Sequence, residues 1–342
     1  MTALAGGCID VTFNGSGSDR VGWCFLVWAY LDFLMFCCRI FLDCLFGVLG
    51  CFVCGVVAAV EPRIVGYSMN PASEIVQEHS GKYISDIIVF SVEPNADGTI
   101  NLSHVSEAGF VAARSLRDRY GVDVHLAVGG WGRSEHFGVV CRSLESRAVF
   151  IAGLLALCEK YGLSGIDFDW EFPEGEQEYL NFADLIVESK RVLEPRGVLV
   201  TTALAPWQRL RADACVALDR LHLMAYDFRD KHSTLEKSKE AVEGFLKLGV
   251  PASKIYLGVP FYGRDLTKPE RSVTYESLVS GDKLTADMDE VAGVYFNGIE
   301  TISAKTEYAL ELGLGGIMIW ELSQDTRDEL SLLGAIHNVL TR

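Results

Sequence analysis

Positive charge is scarce in this sequence. Lys and Arg number 30 against 46 Asp and Glu, a formal net charge of −16 over 342 residues. Nucleic acid and anionic membrane surfaces both need a basic footprint, so neither is expected as a partner. The balance fits a soluble enzyme acting on a neutral or cationic substrate. A glycine-rich nucleotide loop is also missing, since "GLGG" ending at Gly316 leads into a strand-like run rather than a helix. Cysteine is sparse after residue 54, where only Cys141, Cys158 and Cys215 remain of ten. Three thiols permit at most one internal bridge, and the expectation is three plain buried cysteines.

Apolar residues, by contrast, dominate the segment from Val21 to Val60, broken only by Asp32, Arg39 and Asp43. Its longest unbroken run, Cys44 to Val60, is 17 residues and ends in "VVAAV", at the lower limit for spanning a bilayer. Read from Met35, the segment has an early Arg39, an apolar middle and a small-residue end suited to cleavage after Ala59. The expectation is an extension over residues 1–59 holding a signal peptide, with the protein secreted or in the secretory or lysosomal lumen. The alternative is a signal anchor, the one route by which the chain would meet a membrane. A sequon, "NLS" at Asn101, is usable in such a lumen.

From about residue 60 to 342 the pattern is regular. Eight β-rich runs recur, beginning at Arg63, Asp86, Val124, Gly165, Val198, Leu221, Ile255 and Gly315. Between them lie amphipathic stretches such as "SRAVFIAGLLALCEKYG" and "QEYLNFADLIVESKRVL". Gly121, Gly162, Gly197, Gly249 and Gly313 stand just ahead of strands, where a helix closes on a left-handed residue. Strand, helix, glycine and strand again is the grammar of parallel βα units, and eight of them predict an α/β fold, a (β/α)8 barrel.

The fourth run, "GIDFDWEF", sets Asp167, Asp169 and Glu171 at every second position, with Ile166, Phe168 and Trp170 between them. On a strand the two sets face opposite sides, with successive acids about 6.5 Å apart. The apolar set packs outward against helices, and the acids face a polar interior at the barrel mouth. Other strand ends add Tyr67, Trp131, Met224, Tyr226, Asp227, Tyr262, Arg264 and Trp320. Aromatics around acids suit sugar rings, which stack on indoles and hydrogen-bond at their edges. DxDxE also offers hard oxygen ligands, but no companion acidic or histidine cluster is evident, so neither metal nor cofactor is expected.

These residues resemble glycoside hydrolase family 18, the family of chitinases, some endo-β-N-acetylglucosaminidases and chitinase-like lectins. The fourth-strand pattern DGxDxDxE reads "SGIDFDWE" here, SxGG reads "AVGG" before Trp131, and "MAYD" and Trp320 also match. The resemblance runs from about Arg63 to the C-terminus. It implies a monomer that hydrolyses β-1,4-linked N-acetylglucosamine by a substrate-assisted retaining route. Glu171 would be the general acid, Asp169 and Tyr226 would hold the acetamido group, and Asp167 would sit behind Asp169, sharing a proton. Trp320 would floor the pocket and Trp131 would support the leaving side. Tyr67, Met224, Asp227, Arg264 and Tyr262 map to its wall.

Two departures stand out. Ser164 replaces the first acid of the family pattern, and Ala127 replaces a serine that by analogy holds the inner aspartate. Asp167 would thus lose one partner, with Tyr67 supplying the other, and a reduced rate or shifted pH optimum is expected. Only about fifty residues, Arg264 to Leu314, separate the seventh and eighth runs. That leaves no room for a large insertion, and the expectation is an open cleft. The alternatives within the family are an endoglycosidase acting on N-glycan cores and a silent lectin. The glutamate that lectins commonly lack is present.

Overall fold

The computed structural model describes residues 62–281 and 284–342. The expected signal peptide or anchor, and the domain boundary at residue 60, lie outside the described residues.

Eight parallel strands pair in chain order: Arg63–Ser68, Asp86–Pro94, Asp123–Gly129, Gly165–Asp169, Leu199–Leu204, Arg220–Leu223, Ile255–Pro260 and Gly316–Trp320. The eighth returns to the first, Ile64 opposite Ile317 and Val65 opposite Met318, and closes the (β/α)8 barrel. Helices follow the strands outside, among them Glu107–Tyr120, Leu144–Tyr161, Gly175–Leu193, Leu235–Lys247 and Ile299–Glu311. Some of their starts carry their own caps: Ser143 and Ser146 form a reciprocal box, and the Thr234 hydroxyl accepts from the Lys237 amide. The five glycines expected ahead of strands all have positive φ, from 63° at Gly313 to 87° at Gly249, a conformation that costs a residue with a Cβ.

The core has two layers. Outward strand residues such as Ile166, Phe168 and Val200 are buried against the helices, while Val65, Tyr67, Phe90, Ala127, Tyr226, Tyr256 and Met318 fill the barrel interior. The lower end of the barrel is plugged by charge. Asp86 is fully buried and takes hydrogen bonds from Arg63 Nε at 2.7 Å and Arg220 Nη1 at 2.9 Å, with His125 Nε2 at 3.0 Å. Cys141, Cys158 and Cys215 are free and buried, as expected.

Between the seventh and eighth strands the chain does more than form a helix. Tyr262–Asp265, Ser272–Thr274, Glu290–Val291 and Val294–Tyr295 make a small antiparallel sheet. Such two- to four-residue strands are too short to show an alternation in the sequence.

Candidate active site

The acid row follows the strand geometry, with one adjustment. Asp167 and Asp169 are buried and lie on the fourth strand, which stops at Asp169. Glu171 is two residues beyond it, in the mouth. Its place is fixed by the loop after the third strand: the Glu171 amide donates to Ser134 Oγ at 3.0 Å, and the Gly130 amide donates to Asp169 O at 2.6 Å. That approach explains the glycine pair of "AVGG". A Cβ on Gly129 would lie 2.3 Å from Asp169 O, and one on Gly130 2.2 Å from the Phe90 ring.

Asp167 is the innermost acid and is fully engaged. Tyr67 Oη donates to Oδ2 at 2.5 Å, Thr201 Oγ1 to Oδ1 at 2.5 Å, and His222 Nδ1 lies 3.0 Å from Oδ1. The expected loss of a partner through Ala127 is therefore corrected, because the fifth and sixth strands supply donors that the third does not. Burial alone would raise the Asp167 carboxyl, but these contacts hold it below the usual carboxylate range. Ser164 is uninvolved and donates to Asp123 at the other end of the strand.

Asp169 behaves oppositely. Its Oδ1 is buried without a partner, and burial, then the charges of Glu171 and Asp167, push its carboxyl well up. Glu171 is pushed up to about 7, chiefly by burial and further by Asp227, with the Trp131 amide opposing. The shifts thus run in opposite directions along the row, down at the innermost acid and up toward the mouth. Tyr226 is buried above it, its Oη donating to Met318 Sδ at 3.8 Å.

A cavity of about 910 Å3 opens over these groups. Of the site residues expected from the sequence, Glu171, Asp169, Tyr226, Trp320, Trp131, Tyr67, Met224, Asp227, Arg264 and Tyr262 line it, and Asp167 lies behind. Tyr67 faces the cavity with its ring, but its hydroxyl is spent on Asp167. Trp320 packs edge-on to Phe90 at 4.6 Å and tilts over Tyr67 at 5.6 Å, a supported aromatic floor. Trp131 is 78% exposed. Met224, Tyr226 and Asp227 follow the sixth strand rather than lie on it, and Tyr262 and Arg264 belong to the small sheet. There Arg264 Nε and Nη2 both donate to the Asp227 carboxylate at 2.8 Å, and Tyr262 Oη donates to it at 2.9 Å. Burial would raise Asp227, but His232 and Arg264 keep it below its usual range.

Several residues of the site were not singled out from the sequence. Phe172 and Trp207 continue an aromatic ridge from Trp131, with ring separations of 6.5 and 5.6 Å. Trp207 follows the fifth strand, so the strand-end rule that found Trp131 would have found it. His222 and Thr201 lie behind the cavity, and no local signal marks them, since the register that sets 201 opposite 167 exists only in the folded sheet. Among the described residues no three His, Cys, Asp or Glu are grouped to hold a metal.

The sequence carries the same signature when set beside known proteins. The family model for glycosyl hydrolases family 18 matches residues 63–325. Endochitinase 1 of Metarhizium robertsii is 27% identical, over 63% of this chain and 64% of that protein. Chitotriosidase-1 of Mus musculus is 28% identical, over 58% of each. This chain therefore spans less than two thirds of either relative. Among solved structures, the GH18 chitinase ChiB from the chitin utilization locus of Flavobacterium johnsoniae superposes with a TM-score of 0.74 at 29% identity, covering 82% of this chain and 94% of that one. A closed barrel, its acid row and a family match across most of the described residues agree: the chain belongs to glycosyl hydrolase family 18.

Proposed function

We propose that the protein hydrolyses β-1,4-linked N-acetylglucosamine, in chitin or chitooligosaccharides, with retention at the cleaved carbon. One observation carries the reading: Glu171, pushed up to about 7, stands at the cavity mouth two residues beyond Asp169, whose buried carboxyl is raised as well. A general acid needs a proton near working pH, a contribution of about 10²- to 10⁴-fold. Retaining hydrolysis elsewhere uses a second, ionised carboxylate as nucleophile. Asp169 is disfavoured as an ionised attacker, and Asp167 is buried under three contacts. The nucleophile is then the substrate's own acetamido oxygen, which closes on the sugar carbon as the glycosidic bond breaks. Glu171 gives its proton to the departing oxygen, and as a carboxylate it next accepts one from the water that opens the oxazolinium. Asp169 and Tyr226 hold the acetamido group, Trp320 carries the ring, and Trp131 carries the leaving sugars.

Residues 60–342 form the catalytic barrel in this reading, and residues 1–59 a signal peptide or anchor. The protein then works, as a monomer, in the secretory or lysosomal lumen or outside the cell. No helix among the described residues is long and apolar enough to cross a membrane.

The test is incubation of the purified protein with chitotetraose, products followed by mass, beside Glu171→Gln. Cleavage by the parent and a rate at least about a hundredfold lower in the variant is expected. A mobility shift of a high-mannose glycoprotein without tetramer cleavage would move the substrate to the N-glycan core. Binding without product at any pH would leave a lectin and overturn the proposal.

A further inference from the structure

His222 lies on the sixth strand, 1% exposed, on the face that points into the barrel. Its ring stands edge-on to Tyr67 at 5.9 Å and to Tyr256 at 5.5 Å. Nδ1 lies 3.0 Å from Asp167 Oδ1 and 3.1 Å from Tyr67 Oη, while Nε2 is buried without a partner. On the neighbouring third strand, the position that pairs in register with Asp167 is Ala127, with nothing to donate.

A carboxylate accepts hydrogen bonds only, so a ring nitrogen 3.0 Å from it must present its proton. Nε2 has no partner among the described residues, so Nδ1 is the nitrogen whose proton the site engages. The other titratable groups against the ring are Tyr67 on the first strand, Asp167 on the fourth and Tyr256 on the seventh, the last with Arg220 stacked on it at 5.2 Å.

We infer that His222 is a positioning residue: its Nδ1–H supplies the donor that Ala127 cannot, fixing Asp167 as the ionised inner member, so that the proton of the acid row resides on Asp169 and Glu171. The inference rests on the hydrolase reading for its kinetic consequence, though not for its chemistry. An ionised Asp167 keeps Asp169 protonated and able to donate to the acetamido group. Without the imidazole Asp167 competes for that proton.

The test compares His222→Leu, His222→Asn and the double variant Ala127→Ser/His222→Leu with the parent on chitotetraose. Asn Nδ2 can donate from near the Nδ1 position, and Leu cannot. The Leu variant is expected to lose about tenfold to a hundredfold in kcat with KM nearly unchanged, the scale on which partners that orient a functional group act. Its acidic limb should move to higher pH, because Asp167 then protonates more easily. His222→Asn should stay within about threefold of the parent, and the serine hydroxyl added at position 127 should recover much of the loss. Equal losses in Leu and Asn without rescue by serine would mean that the ring only fills space, and would overturn the inference. Full activity in the Leu variant would overturn it too. A parent that cleaves nothing refutes the hydrolase reading, yet the imidazole ¹⁵N spectrum still decides here. A proton on Nδ1 supports the assignment, and a bare Nδ1 defeats it.

Discussion

Tyr226→Phe separates catalysis from stability in a single substitution. Among the described residues the hydroxyl makes one hydrogen bond, to Met318 Sδ at 3.8 Å, and thioether sulfur is a weak acceptor. Removing it should cost no more than about 1 kcal/mol of stability. The ring itself, edge-on to Tyr262 at 6.2 Å, stays packed. Its proton is secure, because burial, then Tyr262, Asp169, Asp227 and Glu171, push the phenol well above its usual value. In the proposed mechanism this weakly engaged hydroxyl is a donor in reserve, released from Met318 Sδ to the acetamido oxygen as that oxygen starts to share its electrons. Removing one such preorganised donor costs about 2.7–4 kcal/mol in the transition state, or roughly 10²- to 10³-fold in kcat. Steady-state rates on chitotetraose, beside thermal unfolding of both proteins, measure the two effects separately. A kcat within about threefold of the parent would refute the role given to Tyr226. A stability loss as large as the activity loss would refute the reasoning that the hydroxyl is idle at rest.

Three further outcomes are expected. In the proposed role Glu171 acts with its proton on, and its carboxyl is pushed up to about 7, so kcat/KM should fall about tenfold per pH unit on the alkaline side of that value; a flat profile from neutrality to about pH 9 would contradict it. Asp86→Asn leaves Arg220 and His125 facing a neutral amide at the closed end of the barrel, a loss of about 3–5 kcal/mol by denaturant unfolding at neutral pH. Burial would raise the Asp86 carboxyl, but His125, Arg63 and Arg220 hold it far below its ordinary value. Its contribution is then complete above the unfolded pKa of about 4 and shrinks below it by about 1.4 kcal/mol per unit, so parent and variant should converge in acid. Trp207→Ala, at a side chain 64% exposed, should leave the melting temperature unchanged and raise KM for long oligomers a few-fold to tenfold, a loss of about 0.5–1.5 kcal/mol.

The barrel was legible because its strands are long enough for period and punctuation to agree. Arg63–Ser68, Asp86–Pro94 and Gly316–Trp320 coincide closely with apolar runs. The small sheet was not legible, since Glu290–Val291 and Val294–Tyr295 are held by pairing and carry no local alternation. In the site, the cavity-facing acids could be read from spacing on one strand. The network behind them could not, because Asp167 is satisfied from the first, fifth and sixth strands, by residues 100, 34 and 55 positions away. Reasoning from Ala127 alone foresaw a missing bond, and only the closed barrel brings Thr201 and His222 to fill it.

The Asp227–Arg264 clamp joins two quantities usually considered apart. Asp227 is one of the charges that lift Glu171, and the cation that tempers it sits on the small sheet rather than on the barrel. The proton affinity of the acid is thus set partly by where that sheet rests. A ligand or substitution that drew Arg264 away by a few ångströms would leave Asp227 less shielded, and Glu171 would hold its proton to higher pH. A change with no contact to the acid row could in this way move the working pH of the whole site.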